Sequence, residues 1–308
     1  MKILLLGKNG QVGWELQRAL EPLGEVVALG SDSPFPLCAD FSNPEALAAT
    51  VRAVAPQIIV NAAAHTAVDR AESEPGHARA LNATAPAVLA REAKALGAWL
   101  MHYSTDYVFD GSGAAPWSED SPTGPLSVYG ATKLEGEKAI RDSGCKHLIF
   151  RTSWVYAARG GNFAKTMLRL AKERERLTVI ADQFGAPTGA ELLADLTAHA
   201  LRSATARPEL AGTYHAVAQG ETTWHAYARH VIEHARAMGQ VIKVAPEAIE
   251  AVPSSAFPTP AKRPGNSRLD TRKLQKAFQV ALPPWQNGVD RMLDEMRGYG
   301  LNDQKNGD

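Results

Sequence analysis

A glycine stands at every third position of residues 7–13 (GKNGQVG), directly after the apolar run Lys2–Leu6 and before an amphipathic stretch. This order describes a buried strand, a tight turn and a helix. Gly7 permits the turn, Gly10 lets the backbone approach a pyrophosphate, and Gly13 lets the helix pack closely on the strand. The N-terminus of that helix would face the anion. Because the pattern directly follows a strand, it predicts a dinucleotide-binding unit rather than a purely structural turn.

Strand-like and helix-like segments keep alternating well past the midpoint of the chain, which predicts a parallel sheet of six or seven strands covered by helices on both faces. The fold class expected is α/β, a Rossmann-type doubly wound parallel sheet with a smaller C-terminal substrate-binding lobe. The predicted strands after the first are residues 25–29, 57–60, 98–103, 147–151 and 177–181, and the predicted helices are 11–20, 44–54, 78–96, 128–143, 162–173, 190–201 and 223–238.

The residue pattern changes after Arg202, where prolines and glycines separate short predicted elements. Three prolines within residues 252–263 indicate an extended connector. The predicted organisation is a dinucleotide-binding domain formed by residues 1–153 and 176–202, a substrate-binding lobe formed by 154–175 and 203–299, and a flexible tail over 300–308.

Composition narrows the classes of partner and compartment. Lys and Arg number 33, as do Asp and Glu, so the formal net charge of zero gives no general attraction to nucleic acid or to a membrane surface. The two cysteines cannot build a disulfide framework or a zinc knuckle, which fits a reducing compartment. No stretch has the length of a signal-peptide core or a membrane span. A cytoplasmic protein is expected.

Two segments carry candidate chemistry. Tyr129 and Lys133 are four residues apart in a predicted helix, so their side chains share one face and the ammonium is expected to lower the pKa of the phenol. Such a pair also arises by chance at a surface. Thr105, in the segment Ser104-Thr105-Asp106, follows the fourth strand at the edge where ligands bind in parallel sheets, and its hydroxyl would hydrogen-bond a substrate carbonyl.

In this order, the glycine motif, residues 61–64 (NAAA), the Ser-Thr-Asp segment and the Tyr/Lys pair resemble the extended short-chain dehydrogenase/reductase family. Within it, the chain looks like the branch that reduces the 4-keto group of dTDP-4-dehydro-β-L-rhamnose to dTDP-L-rhamnose, a step of lipopolysaccharide O-antigen biosynthesis. The similarity extends from residue 1 to about 297. Its further segments are residues 62–69, 103–110, 150–156, 182–189 and 263–267.

The resemblance implies roles for individual residues. Tyr129 would donate the proton to the C4 oxygen, Lys133 would lower the pKa of Tyr129 and contact the cofactor ribose, and Thr105 would orient the carbonyl. The implied substrate contacts are Thr105, Asp106 and Trp154. The implied cofactor contacts, including the motif glycines, are Gly7, Gly10, Gln11, Val12, Gly13, Ser31, Asp40, Phe41, Ala63, Ala64, His65, Tyr103, Tyr129 and Lys133.

One departure from the family pattern bears on the cofactor. Gly30 stands at the end of the second strand, where relatives can carry an acidic residue for the ribose 2′-hydroxyl. Ser31 can donate a hydrogen bond to a 2′-phosphate, whereas Asp32 would repel one unless it turns away. NADPH is therefore the expected cofactor, with NADH also used. Relatives can form homodimers around Mg²⁺ held by acidic side chains, and the matching residues are Glu15, Glu191 and Glu295.

Other functions remain open at the level of sequence. His230 and His234, with Glu233, match an inverted zinc-protease pattern, but a third ligand has no support. A sugar-nucleotide dehydratase should carry a second carboxylate after Thr105-Asp106, where Tyr107 stands, so an epimerase is the better sibling alternative. A non-catalytic regulatory subunit resembling that of methionine adenosyltransferase is the non-enzymatic alternative, which the complete Thr, Tyr and Lys set disfavours.

Overall fold

The computed structural model describes residues 1–33 and 36–298 of the chain. The predicted tail at 300–308 lies outside these residues. The strands are β1 (Lys2–Leu6), β2 (Glu25–Leu29), β3 (Ile58–Asn61), β4 (Trp99–Thr105), β5 (Lys146–Thr152), β6 (Val155–Tyr156), β7 (Leu177–Ile180), β8 (Phe184–Gly185), β9 (Thr188–Gly189), β10 (Gly212–His215), β11 (Thr222–Thr223) and β12 (Ile249–Val252). The helices are α1 (Gln11–Leu20), α2 (Pro44–Val54), α3 (Val68–Ser73), α4 (Pro75–Arg79), α5 (Ala85–Leu96), α6 (Val128–Ser143), α7 (Phe163–Glu173), α8 (Ala190–Ala206), α9 (Trp224–Ala237), α10 (Arg272–Phe278) and α11 (Trp285–Gly298).

The central sheet has six strands in the order β10-β5-β4-β3-β1-β2, and every neighbouring pair is parallel. The chain therefore has the predicted Rossmann-type α/β fold. Strand β2 lies on one side of β1 and β3 on the other, so the winding reverses at β1 and leaves a crevice at the carboxyl ends of β1 and β3. Ligands of doubly wound sheets bind at such a reversal.

Alternate residues of β1 supply both layers of the core. Ile3 and Leu5 pack with α1 and α8 on one face, while Leu4 and Leu6 pack with α2 and α5 on the other. All four are fully buried, and each contributes about 1.5–3 kcal/mol relative to exposure. This packing explains why the strand reads as a continuous apolar run. None of the helices in the described ranges has the length and apolar character needed to cross a bilayer.

Two strands lie elsewhere than the sequence suggested. β7, which the predicted organisation assigns to the dinucleotide-binding domain, pairs with β12 in a separate two-stranded sheet. β10, from the predicted lobe, instead completes the central sheet beside β5. Both are short segments without a distinctive pattern, and partners distant in sequence determine where such strands pair. The division into domain and lobe as a whole stays a prediction.

The predicted helix over residues 78–96 is interrupted by a π-helical turn, Ala80–Thr84, between α4 and α5. The turn brings the carbonyl oxygen of Asn82 against α6, where a Cβ added to Gly136 would lie only 2.1 Å from it. The Asn82 amide reaches from Thr132 of α6 to the main chain of His65. The irregular turn thus fixes α6 against the segment that follows β3.

Candidate functional site

The turn between β1 and α1 is held by close contacts of the backbone. Gly7 has a φ of +91°, and a Cβ there would lie 2.7 Å from the main-chain nitrogen of Ala63. A Cβ on Gly13 would lie 2.0 Å from the carbonyl oxygen of Gly7. The N–H groups of Gly7 and Lys8 both donate to the carbonyl oxygen of Leu29, at 2.9 and 3.1 Å. Glycine is therefore required at positions 7 and 13 by packing alone.

Gly10 precedes α1 without a side-chain cap. The first amides of a helix have no partner within it, and here Gly10, Gln11 and Val12 line a cavity. A Cβ on Gly10 would make only an ordinary contact, 3.5 Å from the Gly7 oxygen. Unlike its two neighbours in the motif, Gly10 is thus free of packing demands, and its open face suits the approach of a phosphate to the helix N-terminus.

A single cavity of about 950 Å³ extends from this helix terminus to the carboxyl ends of β4 and β5. It brings together nearly all the residues singled out from the sequence: Gly7, Gly10, Gln11, Val12, Ser31, Asp40, Phe41, Ala63, Ala64, Tyr103, Thr105, Asp106, Tyr129, Lys133 and Trp154. Gly13 does not line it, because its place is in the packing of α1 on the turn. His65 does not line it either, because this buried residue is held by the Asn82 amide.

Tyr129 and Lys133 lie on α6, whose first turn sits on the segment after β4. Ser127 caps the helix by accepting from the Gly130 N–H, and a Cβ on Gly130 would lie 2.2 Å from the carbonyl oxygen of Tyr107. This close seating turns Tyr129 and Lys133 into the cavity from one helix face. The shared face was predicted from their spacing and is confirmed.

The predicted lowering of the Tyr129 pKa by Lys133 is wrong for this structure. Burial raises the pKa of Tyr129 to about 12, and the neighbouring Thr105 hydroxyl opposes this shift only in part. Burial also lowers the pKa of Lys133 to about 8. The Lys133 ammonium is turned toward β4, where Nζ donates to the carbonyl oxygen of Tyr103 at 2.6 Å, and this contact explains its small influence on the phenol.

Thr105 and Asp106 form a buried hydroxyl–carboxyl pair beside Tyr129. Thr105 Oγ1 donates to Asp106 Oδ1 at 3.0 Å and accepts from the Tyr107 N–H at 3.1 Å. Burial raises the pKa of Asp106 to about 6, so at neutral pH its carboxylate is held at a desolvated position that faces the cavity. Perturbed groups of this kind concentrate at functional sites.

Trp154 has a φ of +48°, a left-handed conformation that a bulky residue adopts only where its surroundings require it. Its ring stacks on Trp224 with centroids 3.7 Å apart, and a Cβ on Gly185 would lie 2.8 Å from a ring carbon. Trp224 also lines the cavity, and its Nε1 donates to Gln183 Oε1. Trp224, at the start of α9, was missed because no local pattern distinguishes it from a core tryptophan.

The predicted magnesium ligands share a surface but do not form a metal site within one chain. Glu15, Glu191 and Glu295 line one cavity of about 560 Å³. Glu15 lies 3.6 Å from Arg18, and Glu191 lies 3.6 Å from Arg291. Within residues 1–33 and 36–298, no group of three or more His, Cys, Asp or Glu is arranged to hold a metal ion.

The zinc-protease reading of the α9 histidines has no support in the structure. His230 Nε2 lies 2.6 Å from Asp290 Oδ1, and His234 Nε2 lies 3.0 Å from Asp294 Oδ1. Both histidines thus pair with carboxylates of α11. Their spacing reflects a contact between two helices.

Comparison with known proteins gives a consistent result. The family model described as RmlD substrate binding domain matches residues 1–298. A dTDP-4-dehydrorhamnose reductase from Shigella flexneri is 63% identical over 296 residues, covering 96% of this chain and 98% of that protein. The dTDP-4-dehydrorhamnose reductase of Escherichia coli K12 is 62% identical with the same coverage.

Solved structures agree. A dTDP-4-dehydrorhamnose reductase from Clostridium acetobutylicum superposes with a TM-score of 0.86 at 34% identity, covering 96% of this chain and all of that one. The enzyme of the same name from Bacillus anthracis, solved in complex with NADP, has a TM-score of 0.85 at 32% identity, covering 96% of this chain and 99% of that one. The fold alone is shared with a UDP-glucose 4-epimerase from Thermus thermophilus, at 21% identity. The chain therefore belongs to the RmlD family.

Proposed function

We propose that this protein reduces the 4-keto group of dTDP-4-dehydro-β-L-rhamnose to give dTDP-L-rhamnose, with NADPH as the hydride donor. The observation that carries the proposal is the cavity of about 950 Å³, which the glycine-turn helix terminus shares with Thr105, Tyr129 and Lys133. Relatives at 62–63% identity are named for this reaction, and a solved relative holds NADP. The complete three-residue set speaks against a non-catalytic regulatory subunit.

The glycine end of the cavity fits a dinucleotide. The α1 N-terminus at Gly10 offers amides and a positive dipole end to the pyrophosphate, and no side chain competes for them. Asp40, which accepts hydrogen bonds from Ser42, and Phe41 line the adjoining wall, where they would border the adenine end. When bound, the cofactor supplies the hydride.

At the other end, the chain's own residues position and protonate the substrate. Tyr129 stays protonated at neutral pH, because burial raises its pKa, and its phenol would give a proton to the C4 oxygen as the hydride arrives. Thr105 would orient the carbonyl through a hydrogen bond. Lys133, whose Nζ donates to the Tyr103 carbonyl oxygen at the cavity wall, would contact the cofactor ribose.

Substrate contacts are assigned to Asp106 and Trp154. Asp106 Oδ2 is buried and has no hydrogen-bond partner among the described residues, so it can accept from a sugar hydroxyl. Trp154 is held by its contacts with Trp224 and Gly185 and lines the cavity, where its ring would border the sugar. The strained backbone at Trp154 would then serve to present this ring.

The preference for NADPH rests on the end of β2. Gly30 provides no carboxylate for a ribose 2′-hydroxyl, and Ser31 lines the cavity beside it. Asp32 accepts a hydrogen bond from Asn9 Nδ2 at 2.9 Å, and this bond fixes the orientation of the Asp32 carboxylate. We therefore expect NADPH to be the better donor, with NADH accepted.

A homodimer that binds Mg²⁺ stays a prediction, as do a cytoplasmic location and the absence of nucleic-acid or membrane partners. The three glutamates at Glu15, Glu191 and Glu295 lie around one cavity, and burial together with these neighbouring charges raises the pKa of Glu191. A cation would relieve that repulsion. Light scattering of the purified protein with Mg²⁺ and with EDTA would test whether the metal controls assembly.

The reaction is tested by following NADPH and NADH oxidation at 340 nm with dTDP-4-dehydro-L-rhamnose generated in situ. Substrate-dependent oxidation, faster with NADPH, is the expected result. Cofactor binding without oxidation of either nucleotide would contradict the proposal. In that case, product analysis with bound NAD⁺ would distinguish an epimerase from a non-catalytic binding protein.

A further inference from the structure

The catalytic lysine has a second partner that the proposed mechanism does not use. Lys133 Nζ lies 3.3 Å from His102 Nε2, in addition to its bond with the Tyr103 carbonyl. His102 is on β4, fully buried in the central sheet between β3 and β5. Burial and the neighbouring Lys133 hold the pKa of His102 well below its usual range, so the ring is neutral. A neutral imidazole donates from one nitrogen and accepts at the other.

Which nitrogen of His102 carries the hydrogen is determined by Asn61. The Asn61 side-chain oxygen accepts from the Ala63 N–H at 3.1 Å, so its Nδ2 faces the His102 ring and lies 3.0 Å from Nδ1. Asn61 Nδ2 can only donate, and His102 Nδ1 must then accept. With Asn61 in this orientation, the hydrogen of His102 is on Nε2, and this N–H points at Lys133.

An ammonium group offers only donors, so it cannot accept from His102 Nε2–H. A charged Lys133 requires the other tautomer, in which Nδ1 carries the hydrogen and Nε2 accepts. In that tautomer the His102 Nδ1–H needs an acceptor, so the Asn61 amide must turn over and place its oxygen opposite Nδ1. The turned amide would place its NH₂ against the Ala63 N–H and leave that half-buried donor without its present partner. Charge on Lys133 is thereby linked to a hydrogen bond of the turn after β3.

We infer that His102 is a positioning residue for the reduction, which together with Asn61 couples the protonation of Lys133 to the Ala63 turn that lines the cofactor side of the cavity. This role depends on the proposed function. Ala63 lines the same cavity as Lys133 and lies against Gly7. A cofactor group that accepts from the Ala63 N–H would compensate for the turned amide. Binding of the cofactor would in that way favour the charged lysine.

Other titratable groups near Lys133 do not provide the same coupling to its protonation. Glu137, one turn further along α6, raises the pKa of Lys133, yet it is itself hydrogen-bonded to Arg151 and Arg141. Tyr129 on α6 and Tyr103 on β4 are neutral, because burial raises the pKa of both phenols. His102 and Asn61 are therefore the groups through which the charge of Lys133 can be altered without breaking an ion pair.

Nitrogen-15 NMR of the histidine rings gives a readout that is independent of activity. In the free enzyme, His102 should change from the Nδ1–H to the Nε2–H tautomer as the pH is raised through the titration of Lys133, which lies near pH 8. The assignment comes from comparison with a His102→Gln variant. His102 shifts that stay constant between pH 6 and pH 10 would overturn the coupling, whether or not the enzyme turns over.

Kinetics supply the second test. In an Asn61→Asp variant, the carboxylate accepts from both the Ala63 N–H and His102 Nδ1–H, so His102 Nε2 always accepts from the ammonium. The high-pH limb of kcat/KM should move up by about one pH unit, a tenfold change in proton affinity. His102→Gln, whose amide turns independently of Asn61, should move the limb in the same direction.

The matched control is His215→Gln. His215 is also fully buried, at the end of the edge strand β10, but its ring nitrogens have no hydrogen-bond partner within the described part of the chain. Its replacement should leave the high-pH limb in place. If Asn61→Asp and His102→Gln lower thermal stability yet leave the limb unmoved, His102 only fills the core. Absence of turnover in the wild type would instead contradict the proposed reduction, and the NMR titration would still decide the coupling.

Discussion

The two ends of the large cavity are built by different means. At the glycine end, geometry is set by backbone contacts so close that Gly7 and Gly13 have no room for another carbon, and the nearby carboxylates of Asp32 and Asp40 are exposed. At the end lined by Tyr129 and Lys133, named the catalytic end after the proposed function, geometry is set by buried polar side chains whose pKa values burial has shifted. Substitution should therefore cost mainly stability and cofactor affinity at one end, and mainly chemistry at the other.

The largest effect is expected at the catalytic end for Tyr129→Phe. Loss of the proton donor should lower kcat by about 10²–10⁴-fold, because general acid catalysis contributes that much. The dissociation constant for NADPH should change little, since the phenyl ring keeps its packing. Parallel measurement of kcat and of NADPH binding by fluorescence checks both statements.

Tyr214→Phe is the control for that variant. The Tyr214 hydroxyl donates to the Leu210 carbonyl at 2.9 Å, outside the cavity, so kcat should be kept. A fully active Tyr129→Phe enzyme would show that Tyr129 is not the proton donor. The proposed chemical role of this end of the cavity would then lose its main support.

Asp106→Asn should show how much the buried Asp106 carboxylate lowers the free energy of unfolding at neutral pH. Burial raises the pKa of Asp106 from 3.8 to about 6 in the folded state, so the folded protein holds this proton where the unfolded chain has released it. Protonated Asp106 contributes on the order of 3 kcal/mol to the free energy of unfolding below about pH 4. This contribution is lost as the pH rises through 6. The neutral asparagine should be more stable at pH 7, with a flatter stability curve.

Urea unfolding at several pH values between 4 and 7 measures this effect. Asp110→Asn serves for comparison, because Asp110 is exposed and its hydrogen bonds with Ser112 lower its pKa, the opposite direction. Wild-type and Asp106→Asn curves that run parallel across this range would show that Asp106 carries no buried charge.

The glycine end could be predicted almost completely from the sequence. Its elements β1 and α1 follow one another along the chain, and both the turn at Gly7 and the packing of Gly13 against it are local geometry that spacing encodes. The same holds for the shared helix face of Tyr129 and Lys133. These features need only short-range rules, and the structure agrees with them in element and boundary, as for α1 and α6.

The sequence predicted that the side chains of the catalytic end lie together, and they line one cavity, but it did not predict their electrostatics. The partners of Lys133, namely His102 and the Tyr103 carbonyl, come from a strand some thirty residues away, and burial rather than spacing decides the pKa of Tyr129. Trp224 meets Trp154 only after two segments of the chain pack together. Such contacts depend on the three-dimensional arrangement, and helical periodicity does not contain them.

Two alanine substitutions separate packing from binding at the glycine end. Gly13→Ala places a methyl group 2.0 Å from the Gly7 oxygen, so the turn must shift, and we expect a loss of about 1–3 kcal/mol in the free energy of unfolding. Gly10→Ala meets nothing closer than 3.5 Å and should keep its stability while weakening NADPH binding, because the methyl faces the cavity. Denaturation and cofactor titration of both variants measure the contrast. Equal losses of stability in the two variants would mean that Gly10, like Gly13, is required by packing.

The smallest effect is expected for Asp32→Asn at the end of β2. The exposed Asp32 carboxylate is held by Asn9 Nδ2, next to the place proposed for the ribose 2′-phosphate. Removing one negative charge near a phosphate in a solvated setting is worth up to about 1 kcal/mol, so kcat/KM for NADPH should rise by at most roughly fivefold. The value for NADH, which lacks that phosphate, should stay unchanged, as should both values in an Asp142→Asn control at an exposed position of α6. An equal change with both cofactors would mean that Asp32 acts on the shape of the turn, and the glycine end would then be governed by backbone geometry alone.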